Sequence, residues 1–208
     1  LKIKIRIIGA GRTDKGVHAF GQYANFKINR KIENEKSFLN SLNFFLRKNL
    51  ISIISIKRKN SMFHSRHSAK ERFYEYKIIN RDGTLSIYNS KAWHIKTKLD
   101  IKLLKKGAKI LEGTHDFSTF RASSCKANSP IKKMNFVKVR KKKDQIILIF
   151  SSKSFLQNQV RSMVGSLKYL SSGKWNINDF KKAFYSKKRS SCAPPAPACG
   201  LYLQNIRY

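Results

Sequence analysis

The first residues alternate apolar and basic side chains. Ile3, Ile5 and Ile7 fall on one face of Lys2–Ile8 and Lys2, Lys4 and Arg6 on the other, the period of two that marks a half-buried strand. A glycine-rich loop follows, Gly9-Ala10-Gly11-Arg12-Thr13-Asp14-Lys15-Gly16, and residues 17–28 resume strand character. The period then changes: Phe38, Leu39, Leu42, Phe45 and Leu46 recur at helical spacing, predicting an amphipathic helix over residues ~35–47. Leu50–Lys57 reads as a further strand, and the polar, basic stretch 58–70 as a crossover between an N-terminal half, residues 1–66, and a C-terminal half, residues 67–208.

The second half repeats the strand and helix logic without repeating the sequence. Arg72–Ile79 is predicted as a strand with Arg72, Tyr74, Tyr76 and Ile78 on one face. Asp100 is placed to cap a helix striped by Ile101, Leu104, Ala108 and Leu111. Met134–Arg140 and Gln145–Ser151 pair as a hairpin closed at Lys141–Asp144. Leu156, Val160, Met163, Val164 and Leu167 mark a strong helix. A shorter one through Ile177, Phe180 and Phe184 is capped by Asn176 or Asn178, and a Pro-rich loop at 193–198 leads to a last strand, Leu201–Ile206. The fold class is therefore α+β, two similar α/β sandwiches.

Composition narrows the function. Lys plus Arg number 45 against 11 Asp plus Glu, a formal charge of +34, which draws polyanions and makes nucleic acid the expected partner. Lys, Ile, Asn and Ser are frequent throughout, as in a gene under A/T-rich drift, so part of the surplus is solvated lysine without a partner. No run approaches ~18 apolar residues, and no charged stub precedes an apolar block, so no membrane span or signal peptide is expected and a soluble cytoplasmic protein is. Cys125, Cys192 and Cys199 form no CxxC pair, and His64 and His67 have no companion Cys or carboxylate at ligand spacing; neither a disulfide framework nor a metal site is expected.

With so few carboxylates, each has a local reading, and most are bland: Asp100 caps, Asp144 turns, Glu33 and Glu35 enter a helix. Asp14 differs, because it lies in a glycine-rich loop directly after a strand, between Arg12 and Lys15, whose charges favour its ionised form. Such a carboxylate serves as a base or nucleophile, or simply shapes the turn. The loop lacks both GxGxxG and GK[ST], which sets nucleotide-triphosphate binding aside. Tyr74 reads equally as sheet packing and as a platform for a stacked base. Arg161, about 100° round its helix from Val160, reads as a snorkelling surface cation or as a cation emerging into a cleft.

Gly11-Arg12-Thr13-Asp14 followed by Gly16-Val17-His18-Ala19 resembles the signature of the TruA-type tRNA pseudouridine synthases. FHSRHSAKERFYEY (63–76), DFSTFR (116–121), FLQNQVRSMVGSL (155–167) and GLYL (200–203) resemble further segments of that family in the same order. Gln157, Gln159 and Lys15 depart from its commoner residues, and the family's first strand and helix, with their YDG and GWQ segments, precede the point at which this chain begins. The resemblance implies two ferredoxin-like halves sharing an extended, mostly antiparallel sheet, with helices on one side and an active cleft between the halves. It implies isomerisation of uridine to pseudouridine in the anticodon stem-loop of tRNA by a homodimer, without cofactor or metal. Asp14 would be the catalytic aspartate, and Tyr74, Arg161 and Arg12 would bind substrate. The competing readings are a basic RNA-binding protein without catalysis and an inactive gene fragment.

Overall fold

The computed structural model describes residues 4–29 and 31–208. The chain divides into two compact units: Ala24–Ser68 with the segment ending at Ala10, and Gly11–Tyr23 with Ala69–Tyr208.

In the first unit, β1 (Ile8–Gly9) pairs antiparallel with β3 (Ala24–Asn25); β2 (His18–Ala19) belongs to the other unit. Buried Ser65 ties this pair together, its N–H donating to Asn25 Oδ1 at 2.9 Å and its hydroxyl to the Ile8 carbonyl at 2.6 Å. Helix α1 (Glu35–Leu46) opens where Asn34 Oδ1 accepts the Ser37 N–H at 2.8 Å, a cap that satisfies one of the orphan donors of the first turn. Phe38, Leu39, Leu42 and Leu46 are half-buried, while Phe45, assigned to the same stripe, is exposed.

Three strand expectations contract. Within Lys2–Ile8, Lys2 and Ile3 lie outside the described residues, and pairing begins only at Ile8. Residues 17–28 contribute just the two-residue strands β2 and β3. Leu50–Lys57 forms no strand: Leu50 is left-handed at φ 52°, and Leu50, Ile51 and Ile54 are exposed. The Asn43 side-chain amide bonds both the N–H and the C=O of Ile53, at 2.7 and 2.9 Å, in place of a neighbouring strand. An apolar, β-branched run has strand propensity, but only a backbone partner makes a strand.

The second unit is a mixed, mostly antiparallel sheet in the order β2, β9, β4, β8, β7, β6, with β5 also on β4. Its remaining strands are β4 (Glu71–Asn80), β5 (Trp93–Ile95), β6 (Gly113–Asp116), β7 (Ile131–Lys142), β8 (Gln145–Ser152) and β9 (Leu201–Arg207). The β2–β9 and β4–β5 ladders are parallel, the others antiparallel. The hairpin predicted over 134–151 is β7 and β8, paired out to Lys142 and Gln145, with Lys143 left-handed at φ 54° in the two-residue turn.

Register explains the core. Tyr74 lies opposite Phe150, Tyr76 opposite Leu148 and Ile78 opposite Ile146, so one face of β4 and β8 carries the large apolar side chains. They pack in one cluster with Leu104 and Ala108 of α2 (Ile101–Ile110), Val160, Met163, Val164 and Leu167 of α3 (Gln159–Ser171), and Phe180 and Phe184 of α4 (Ile177–Tyr185). Each fully buried Phe or Leu adds about 1.5–3 kcal/mol over its exposed state. Asp100 caps α2 through the N–H groups of Lys102 and Leu103. Of the two candidate caps for α4 the structure uses Asn176, in a capping box with Asp179.

Glu71, at the start of β4, is nearly buried and receives the Ser151 hydroxyl, the Asn135 amide at 2.6 Å and Arg207 at 2.8 Å. The Ser151 hydrogen bond, with those of Asn135 and Arg207, outweighs burial and holds its carboxyl below the usual carboxylate range. Its role is to tie β4, β7, β8 and β9 at one end of the sheet.

Candidate active site

The site is built by three stretches of the second unit that the sequence keeps far apart. The first is the loop leading into β2. Its turn closes when the Val17 N–H donates to the Asp14 carbonyl at 3.1 Å, and Gly16 at φ +85° supplies the left-handed step. The Asp14 side chain is thereby held partly exposed, at 34%. Arg12 and Lys15 are exposed on either side of it.

The second is the N-terminal turn of α3. Arg161 is its third residue, its side chain 19% exposed, and donates from Nη1 to Asp14 Oδ2 at 2.8 Å. The cation in direct contact with Asp14 is therefore Arg161, joined to it across 147 residues of sequence. The same Nη1 donates to Asn158 Oδ1 at 3.3 Å, and Nε donates to the Ala196 carbonyl at 2.8 Å. Arg161 thus emerges from the apolar stripe with the Nε and Nη1 groups of its planar fork directed. Asn158 precedes α3 in the left-handed region, φ 61°, a conformation that asparagine tolerates better than most residues.

The third is β4. Tyr74 packs on the core and meets Phe155 edge to face, with ring centroids 5.1 Å apart. Burial pushes its hydroxyl above the ordinary tyrosine value; Arg72 pulls it down, and the Asp14 charge pushes it further up. That electrostatic link places Tyr74 in the field of Asp14. Asp14 and Arg161 are in direct contact, Tyr74 lies within electrostatic reach of Asp14, and Arg12 is exposed.

Residues 108–208 match the sequence profile described as tRNA pseudouridine synthase. A tRNA pseudouridine synthase A of Pelagibacter ubique is 53% identical over 208 residues, all of this chain and 85% of the relative. The chain belongs to the tRNA pseudouridine synthase A family. Relatives of the same name from Maricaulis maris and Xanthobacter autotrophicus are 39% and 41% identical over 204 residues, 98% of this chain and 82% and 83% of theirs.

Within this family member several of the other motif segments make structural contacts. In DFSTFR, Asp116 Oδ1 accepts the Ser118 N–H at 2.8 Å, Thr119 donates to the carbonyls of Ala183 and Phe184, and Arg121 closes its own loop on the Cys125 and Ala127 carbonyls. This segment is scaffold; its link to the site is the Ala122 N–H, which donates to the Gln157 carbonyl just before α3. Gln159 is fully buried, accepts the Leu156 N–H at 2.8 Å and lays its amide against the Met134 sulfur at 3.8 Å, so its departure from the family pattern is absorbed locally. Gln157 is exposed. In FHSRHSA, His64 Nδ1 accepts the N–H groups of Arg66 and His67, which makes that ring part of a turn. Among the described residues no three His, Cys, Asp or Glu side chains group to hold a metal ion, and no helix is long and apolar enough to cross a membrane.

Asn158, Phe155 and the Ala196 carbonyl belong to the site and were not singled out from sequence. Asn158 had a signal, a turn-forming residue directly ahead of a strong helix. The carbonyl of Ala196 had none, since any residue supplies one.

Proposed function

We propose that this chain isomerises uridine to pseudouridine in tRNA, within the anticodon stem-loop, with Asp14 as the catalytic carboxylate. The observation that carries the reading is the 2.8 Å contact of Asp14 with Arg161 in a chain of net charge +34, a carboxylate held in place by a guanidinium where the rest of the protein attracts phosphate.

The reaction breaks the bond between the ribose and N1 of uracil, turns the base and joins the ribose to C5. The C5 proton departs and N1 gains one, so no electrons or groups enter from outside. A base stacked in a helix is out of reach of a side chain and has to be extruded. Tyr74 presents its ring to the extruded base, with Phe155 steadying the ring edge-on. Attack on the ribose, attack on the base and removal of a ribose proton all require Asp14 ionised and close; Arg161 orients it through its fork. Arg12, at the exposed rim, contacts substrate phosphate. Assembly as a homodimer with two α/β halves per chain, and a cytoplasmic location, belong to the same proposal on the strength of the family.

Arg161 provides the test. Arg161→Ala is expected to lose about a hundredfold in turnover on tRNA, and Arg161→Lys to retain part of it, since lysine keeps the charge and loses the fork. Both variants are expected to bind tRNA nearly as the wild type does. Equal losses, seen only as weaker binding, would make Arg161 one phosphate contact among many and remove it from the chemistry.

A further inference from the structure

We propose that the Tyr76 hydroxyl is a positioning group for this reaction, holding the Pro197 carbonyl so that the adjacent Ala196 carbonyl aims the Arg161 guanidinium at Asp14. The inference rests on the reading of Asp14 and Arg161 as the working pair.

Tyr76 is fully buried in the core cluster, where phenylalanine would fill the same space without a polar atom to satisfy. Its hydroxyl donates to the Pro197 carbonyl at 2.7 Å across 121 residues. Burial raises its pKa strongly, so it remains a donor at every pH the protein experiences. Pro197 sits at φ −53°, fixed by its ring; the held carbonyl and the carbonyl of Ala196 are thus linked through one nearly rigid residue.

Ala196 is locked to Arg161 from both sides. Its N–H donates to the Arg161 backbone carbonyl at 2.9 Å, and its C=O accepts Arg161 Nε at 2.8 Å. A guanidinium is planar, so fixing the Nε edge fixes where Nη1 points, and Nη1 is the atom on Asp14. Without the Tyr76 anchor the 194–197 segment keeps its contact with α3 but loses the tie that sets its height over the sheet. A small rotation of the fork then lengthens the Asp14 contact.

The test is steady-state kinetics of Tyr76→Phe on tRNA, read with thermal melting. The expected result is a kcat lower by roughly tenfold to a hundredfold, the scale of an ångström-sized misplacement, with KM for tRNA within about twofold because phosphate contacts are untouched. Pro197→Ala, at an exposed position, frees φ without touching the core and is expected to lower kcat severalfold in the same manner. A Tyr76→Phe protein that melts earlier but keeps wild-type kcat would overturn the proposal, leaving Tyr76 as core packing. So would Pro197→Ala at full kcat, should Tyr76→Phe fail to fold. If Arg161→Ala also keeps full turnover, the reading of the Asp14–Arg161 pair falls with it; if Arg161→Ala is impaired, only the positioning role fails.

Discussion

Replacing Asp14 with asparagine is expected to abolish pseudouridine formation while leaving both the fold and tRNA binding in place. Asparagine keeps the size of the side chain and its ability to sit in the turn, and the Val17 N–H still finds the residue 14 carbonyl, which is backbone. What disappears is the charge. The ion pair with Arg161 is partly open to water, with the Asp14 side chain 34% exposed, so its loss should cost about 1 kcal/mol or less, a shift of a few degrees in melting temperature at most. Binding should hold or tighten slightly, because a negative charge has been removed from a basic surface. Turnover measured on tRNA together with a melting curve separates these effects. Near wild-type turnover would reject Asp14 as the catalyst, and loss of the fold would return it to the turn-shaping role that the sequence left open.

Gly165→Ala is expected to disrupt the site from outside it. In a helix interior, alanine is favoured over glycine by about 1 kcal/mol, so α3 considered alone predicts a more stable protein. The added Cβ would lie 2.0 Å from the Pro194 carbonyl oxygen and 3.1 Å from its carbon, however, and both atoms are backbone. Segment 194–197 has to move by more than 1 Å to restore van der Waals contact, and it carries the Ala196 carbonyl that directs Arg161. Overpacking of this kind costs typically 1–3 kcal/mol, more than the propensity gain. The melting temperature should therefore fall, and kcat should fall by about a hundredfold through the misplaced fork. A variant that melts higher and turns over normally would show that the loop yields freely and that Arg161 does not depend on it.

These two positions show what was legible in the chain. Asp14 could be read locally, since a carboxylate in a glycine-rich loop after a strand is unusual among so few acidic residues. The helices could be read locally too: the stripes of α2, α3 and α4 and the caps at Asp100 and Asn176 use neighbours within one or two turns. The hairpin β7–β8 follows from the same short range. The apolar run at Leu50–Lys57 and most of residues 17–28 misled, because strand formation needs a partner that periodicity does not supply. The support of Arg161 was beyond reach for a related reason. It consists of backbone carbonyls and a tyrosine hydroxyl meeting across 35 and 121 residues, and a carbonyl has no signature in the sequence. Gly165 was visible as a glycine inside a strong helix, but only the close approach of Pro194 says why it is there.

Product mapping measures the activity of this chain most directly. Wild-type protein is incubated with an unmodified tRNA transcript, with no added cofactor, and each uridine is then scored for conversion to pseudouridine. Catalytic, multiple-turnover conversion confined to uridines of the anticodon stem-loop is expected, with Asp14→Asn giving none. Saturable tRNA binding with every uridine intact would contradict it and leave a basic RNA-binding protein in its place.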